Sequence, residues 1–520
     1  MQAQYDAVIV GSGFGGGVSA CRLAQAGWRV CVLERGRRFG RGDFAEELKQ
    51  APRLAWHHKV NPGGLYDVRL FGDVSVLCAA GVGGGSLLYA NVQLPAKPEV
   101  FESGWPAEID LDSLDPFYRR VEEALDPRPT PELPKTRAFA AAGSAAGRAA
   151  ELTPLAVHFG DDRLNPFSGV PQQGCTNLGR CLLGCPRHAK NTIDLTYLAR
   201  AERDGAEVFP LHEVLRLEPR RRGGHGWRIG FRDLQYRTRG TVEAPVVVLA
   251  GGTLGSTRLL MENRRRLRRL SPALGTRFSA NGNALGAIFD PHAPEVRGAH
   301  IEYGPSITSK LDYWEERRFI IEDLGVSEPF MGLLEGIRGA NRLVGWRRQL
   351  LRVKQALARC GLSDRSVTPR ELKLKGNTPL ADPFAFLFIG KDASNGRMRL
   401  TRLLRRFDVT FAREDSRALF DAMEEQLAEL GVAVRGDPVF SLDNGPLGQF
   451  ITAHPLGGCP MSDEHATGVV DQYGRVHGYE DSLLVLDGSI VPSALGANPS
   501  KTIAALSERG IAQLVGAGGA

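Results

Sequence analysis

The sequence contains no run of eighteen or more apolar residues, so no segment of it reads as a membrane-spanning helix. Its opening, Met1-Gln2-Ala3-Gln4-Tyr5, lacks the basic, apolar and small-residue series of a secretory signal. A cytoplasmic location is therefore the expectation. Zinc-finger spacing, a basic region with heptads and an RNA-binding aromatic signature are all missing, and no nucleic-acid partner is expected. Excess charge is scarce as well, at +6 over 520 residues. Basic side chains gather at Arg264 to Arg269 and between Arg338 and Arg359, and solvated faces explain both better than an anion site. Cysteines number eight. Cys21, Cys31, Cys78, Cys360 and Cys459 are scattered, as buried thiols of an intracellular protein are. The other three, Cys175, Cys181 and Cys185, crowd into one short segment.

What is present begins with a short β-branched run, Tyr5-Asp6-Ala7-Val8-Ile9-Val10, which predicts a buried strand ended by glycine. Gly11-Ser12-Gly13-Phe14-Gly15-Gly16 follows, and then a helix-like stretch to about Ala26 that Gly27 is placed to stop. Arg29 to Leu33 predicts a second strand, ending at Glu34 and Arg35. Each part has a physical task in dinucleotide binding. Gly11 makes the tight turn, Gly13 admits a pyrophosphate close to the backbone, and Gly16 lets helix pack on strand. The helix N-terminus faces the phosphate charge, and Glu34 can accept hydrogen bonds from a ribose. This order of parts is specific for a dinucleotide, yet it fits NAD as well as FAD.

Further motifs lie downstream. They are Gly81-Val82-Gly83-Gly84-Gly85-Ser86, Val246 to Ser256 with Ala250-Gly251-Gly252 at its centre, and His454-Pro455-Leu456-Gly457-Gly458. Leu486-Asp487-Gly488-Ser489 and Asn498-Pro499 complete the set. Together they resemble the glucose–methanol–choline (GMC) oxidoreductases, and among them the cholesterol-oxidase-like branch. The matches run from residue 5 to about residue 510 and are least specific between about 290 and 440, where fragments such as Phe388 to Asp392 remain.

The resemblance implies FAD. It places the second glycine loop, with Gly83, Gly84, Ser86 and nearby Asn91, against the flavin. Val214 becomes a backbone contact to adenine, and Asp487 with Gly488 a contact to the FAD linker. Such distant contacts imply a cofactor domain assembled from separate segments: 1–120, 190–290 and 445–520, with an insertion at 121–189 and a substrate region at 291–444. The fold class implied is α/β, a Rossmann-type domain with an antiparallel sheet over the flavin. Pro499 can open the last helix, whose N-terminus would stabilise negative charge on reduced flavin. Leu87 to Asn91 offers no histidine of the kind that tethers flavin in some relatives, so the FAD should be non-covalent.

The resemblance also implies a catalytic pair, His454 and Asn498. Taking hydride from an alcohol carbon requires the hydroxyl proton to leave, and a neutral imidazole suits that task. Glu322 resembles the pocket glutamate with which cholesterol oxidases move a proton, while an exposed acidic turn is its other reading. The basic stretch Leu333 to Ala358 has helical spacing. It reads as a surface helix over the pocket or as an interfacial helix admitting a lipid-soluble alcohol through peripheral membrane contact.

Cys175, Cys181, Cys185 and Pro186 keep the ferredoxin spacing, with Leu178 where the second cysteine would stand. Three thiolates suit a 3Fe–4S cluster, and the segment resembles that of FAD-dependent glucose dehydrogenase catalytic subunits. Free thiols in a loop are the alternative. Three functions follow: an alcohol dehydrogenase passing electrons through a cluster to an acceptor protein, an oxidase passing them to O2, or a non-redox flavoprotein such as a lyase or photodecarboxylase. A sterol-like or other bulky apolar alcohol is the substrate that the resemblance favours.

Overall fold

A computed structural model describes residues 1–44, 51–220, 226–327, 383–401, 405–441 and 450–517. The basic stretch 333–358 and Cys360 lie outside them. Among the described residues, no helix is long and apolar enough to cross a membrane.

The fold is α/β. Ala7–Val10 is fully buried and pairs in parallel with Val30–Leu33 on one side and Val246–Leu249 on the other. Glu207–Phe209 and Leu483–Val485 add the outer strands, also parallel. Strands so far apart in sequence form one sheet because four of them are short apolar runs that must be covered on both faces, with Glu207–Phe209 forming a half-buried edge. The first helix, Phe14–Gln25, ends where Gly27 takes a left-handed φ of 82°. It packs against Tyr197–Arg203 and against the last helix, Ser500–Ala517. The buried Glu508 carboxylate ties these three helices together, accepting from Arg22 Nε at 2.8 Å and from the Tyr197 hydroxyl at 2.9 Å. Removing Arg22 would leave a buried charge without its counter-ion, a loss of about 3–5 kcal/mol.

A second sheet has six strands, all antiparallel, in the order Asp437–Ser441, Ala284–Phe289, Phe384–Gly390, Phe319–Leu324, Ser309–Tyr313 and Ala150–Leu152. Its register decides what faces the first sheet's ligand end. Glu322 lies opposite Leu387, and Leu387 opposite Leu285. Residues directly opposite share a face, as do those two apart along a strand. Glu322, Leu324, Leu387 and Leu285 therefore form one side. On the other, Gly286 and Phe388 pack against Leu427 of the helix Arg417–Val434.

Candidate active site

Between the two sheets lies a cavity of about 970 Å³, at the upper end of ligand-cleft volumes. Its floor is the glycine turn. A Cβ on Gly15 would stand 1.4 Å from the Leu486 carbonyl oxygen, and one on Gly16 would stand 2.1 Å from that of Gly11. These glycines let the first helix touch the strand ends. Gly13 differs, because a Cβ there would meet nothing nearer than Gly84 Cα at 3.8 Å. The space over Gly13 is left for something else.

Around this floor the cavity is lined by Gly11, Gly13, Phe14, Gly15, Glu34 and Arg35, with Gly84 and Asn91 from the second glycine segment. Val214, Ala250, Gly251, Asp487 and Gly488 line it as well. His454, Asn498, Pro499 and Asn283 line the same cavity. The structure thus brings most of the residues singled out in the sequence to one cavity. Gly16, Gly83 and Ser86 support its wall from behind, the Ser86 hydroxyl donating to the Gly83 carbonyl and accepting from Ile193 N–H.

Two acidic groups of the lining also brace the local backbone. Glu34 already accepts from Ser12 N–H at 3.0 Å, from the Ser12 hydroxyl at 2.7 Å and from Gly36 N–H at 2.8 Å. A carboxylate has about four acceptor sites, so Glu34 locks the glycine turn with three of them while still lining the cavity. Asp487 is likewise held, by Gly252 N–H, the Ser256 hydroxyl and Ser489 N–H. It caps the helix Gly252–Asn263, and the backbone at Gly488 is what it positions. Arg35 pairs with Asp67 at 2.7 Å and lies over the Trp56 ring at 4.4 Å.

FAD passes a fit test on this structure. Asn91 is wholly buried, its φ is a left-handed 70°, and neither amide atom of its side chain has a partner. Buried amides do not go unpaired without cost, and this one lines the cavity. The N-terminus of Ser500–Ala517 opens on the same space through Pro499 and Ser500. An open cradle, an unpaired amide and a helix N-terminus match an anionic, hydrogen-bonding cofactor.

His454 is half-buried at the cavity wall, and loss of solvent around its ring pushes its pKa down to about 4, leaving a neutral imidazole. Its Nδ1 lies 3.0 Å from Asn283 Nδ2. Glu322 is not on an exposed turn: it is fully buried in the strand Phe319–Leu324, on the side facing the cavity. Asn498 Nδ2 donates to Glu322 Oε2 at 3.2 Å. Burial, with some repulsion from Asp323, pushes the Glu322 carboxyl up to about 8. It is protonated at neutral pH, and its Oε1 and Asn498 Oδ1 have no partner.

The cysteine segment does not show the cluster expected from its spacing. Among the described residues no three His, Cys, Asp or Glu side chains gather as metal ligands. Cys181 sits in a short helical turn whose carbonyl accepts from Lys190 Nζ at 2.8 Å, and the same ammonium binds the carbonyls of Leu87 and Tyr89. Cys175 and Cys185 pack on an apolar cluster with Val92, Leu155 and Ile307. Burial pushes the Cys175 thiol up to about 12. The segment closes around Lys190 and gives the expected iron–sulfur cluster no support.

Asn283 and Asp392 were missed in the sequence. The only signals were an Asn-Gly turn at Asn281-Gly282 and the Phe388 to Asp392 fragment.

Residues 5–264 and 393–507 match two family models, each described as GMC oxidoreductase. The chain is 31% identical to a cholesterol oxidase of Mycobacterium tuberculosis, over 98% of this chain and 91% of that one. It is 29% identical to a cholesterol oxidase of Acinetobacter baumannii, covering 98% and 94%. Its fold resembles the solved structure of a fungal aryl-alcohol oxidase, with a TM-score of 0.61, 16% identity and full coverage of both chains. The chain belongs to the GMC oxidoreductase family.

Proposed function

We propose that the protein binds FAD non-covalently and oxidises a bulky apolar alcohol, sterol-like in class, to the carbonyl compound. The observation that carries this reading is a neutral His454 sharing one cavity with the open Gly13 cradle and with Asn498, whose amide bonds the buried Glu322 behind it. When bound, FAD supplies the acceptor for the hydride. His454 takes the hydroxyl proton on its free ring nitrogen, and Asn498 orients the alcohol oxygen through its unpaired Oδ1 or its amide N–H. Glu322, held neutral, keeps a proton beside Asn498 and adds no negative charge to the pocket. Leu285, Ile307, Leu324, Val326 and Leu387 give the cavity an apolar wall, which suits a substrate large and poor in polar groups.

Electrons leave to O2, the alcohol and O2 yielding carbonyl compound and H2O2. The two cholesterol oxidases and the ungathered cysteines support that acceptor over an iron–sulfur route to a carrier protein. The test is anaerobic mixing with sterols and long-chain alcohols, then admission of air. Flavin bleaching followed by stoichiometric peroxide is expected. A flavin that no alcohol bleaches would point to a lyase or photodecarboxylase. Bleaching without peroxide, in protein that carries iron, would restore the dehydrogenase with its cluster.

A further inference from the structure

The structure shows a hydrogen-bonded chain behind the proposed base. His454 N–H donates to the Thr452 hydroxyl oxygen at 3.0 Å. That oxygen lies 2.9 Å from the Ala280 carbonyl oxygen and 3.0 Å from the Asn283 amide. A hydroxyl carries one hydrogen. Its contact with the Ala280 oxygen, which can only accept, requires that hydrogen between them. The end of Asn283 facing Thr452 is then best filled by the amide N–H2, which donates. An amide oriented this way presents Oδ1 to the other neighbour, Nδ1 of His454. A neutral imidazole has one N–H, so Nδ1 carries it and Nε2 is bare.

We propose that Asn283 is the positioning residue for His454, fixing the imidazole tautomer whose Nε2 can receive a proton. This deepens the reading of His454 as the base and rests on it. With the amide reversed, Nδ1 would accept, Nε2 would hold the hydrogen, and His454 could only donate. The tertiary structure holds Asn283 firmly. Asp392 accepts from the Ser279 hydroxyl and from the N–H groups of Ala280 and Gly282, clamping the turn that carries it. In the same turn, Asn281 accepts from Leu495 N–H and donates to the Ala497 carbonyl, both at 2.8 Å. One turn therefore sets His454 through Asn283 and the approach to Asn498 through Asn281.

Burial alone depresses the His454 pKa. The ionisable groups of the elements around it are Asp392 behind the turn, Glu322 on Phe319–Leu324 and Asp487 beside Gly488, each buried. All three keep their places in the variants below.

The test needs no substrate at first. Purified full-length protein with 15N-labelled histidine should report His454, assigned by its loss in His454→Gln, with pyrrole-type Nδ1 and pyridine-type Nε2. Asn283→Leu should shift it to the opposite tautomer or to a mixture, with the bound flavin spectrum unchanged. A wild-type Nε2–H tautomer, or a tautomer indifferent to Asn283→Leu, overturns the proposal. Asn283→Asp supplies an anionic acceptor and should raise the acid limb of flavin reduction against pH by a unit or more. An unmoved limb with normal flavin content also overturns it. If no alcohol reduces the flavin, the alcohol-oxidising reading fails while the tautomer measurement still decides the role of Asn283.

Discussion

Asn498 and Glu322 meet at 3.2 Å although 176 positions separate them in the chain. The amide stands just before the last helix, and the carboxyl stands mid-strand in the antiparallel sheet. Their contact is where the two sheets' contributions to the cavity touch. It explains how a carboxyl can be kept neutral beside a reacting alcohol: it has one amide donor, no adjacent cation within hydrogen-bond reach, and no water access.

Protonated Glu322 gives a pH signature in stability. Its pKa is raised from the ordinary value of 4.5 to about 8, so between those values the folded state holds more proton than the unfolded one. Stability from this group is full below about pH 4.5, falls as pH rises, and levels off above about 8. Glu322→Gln should remove that slope. Unfolding midpoints of both proteins between pH 5 and 9 check this, and parallel curves would refute it.

His454→Ala should keep flavin and lose roughly a hundredfold or more in the rate of flavin reduction, the scale of a missing general base. Asn498→Ala should cost less, because it orients and does not take the proton. Anaerobic stopped-flow reduction by the best substrate measures both. Equal rates for wild type and His454→Ala would remove the histidine from the mechanism.

The glycines predict opposite failures. Gly13→Val places its branches over a position with no atom nearer than 3.8 Å to the Cβ, so folding should survive and flavin binding should not. Gly15→Ala drives a Cβ to 1.4 Å from the Leu486 oxygen and should destabilise the fold itself. Flavin content and thermal midpoint, measured together, separate the two. A folded, yellow Gly13→Val protein would contradict the cradle.

Lys190 is wholly buried, and burial pushes its pKa down to about 8. Lys190→Met should release Cys181, Leu87 and Tyr89 together. Three buried carbonyls losing an ammonium donor should cost about 3 kcal/mol or more in urea unfolding. Cys181→Ser, which keeps the carbonyl, should leave stability and peroxide production near wild type. Iron in the purified protein that Cys181→Ser removes would reverse this view of the segment.

Local pattern was enough for the cofactor end of the molecule. The run Ala7–Val10, the glycines and the helix Phe14–Gln25 follow from short-range rules: β-branched residues bury, Gly11 turns with a φ of 96°, and Gly27 stops the helix. The motifs around His454 and Asn498 were equally legible, because each is a contiguous string. The spacing of Cys175, Cys181 and Cys185 was legible too and pointed to iron, but spacing says nothing about which way thiols turn. Lys190, supplied by a later segment, binds the Cys181 carbonyl, a contact that spacing does not show.

By itself, then, the sequence determined the dinucleotide-binding start, the family's C-terminal motifs and the absence of a long apolar span. Only the tertiary structure decided that Glu322 is buried and neutral, that Glu34 also braces its own glycine turn, and that Asn283 stands behind His454. The physical reason is common to all three. A residue's protonation state and free lone pairs depend on its neighbours in space, and those neighbours come from strands and turns that no local window contains.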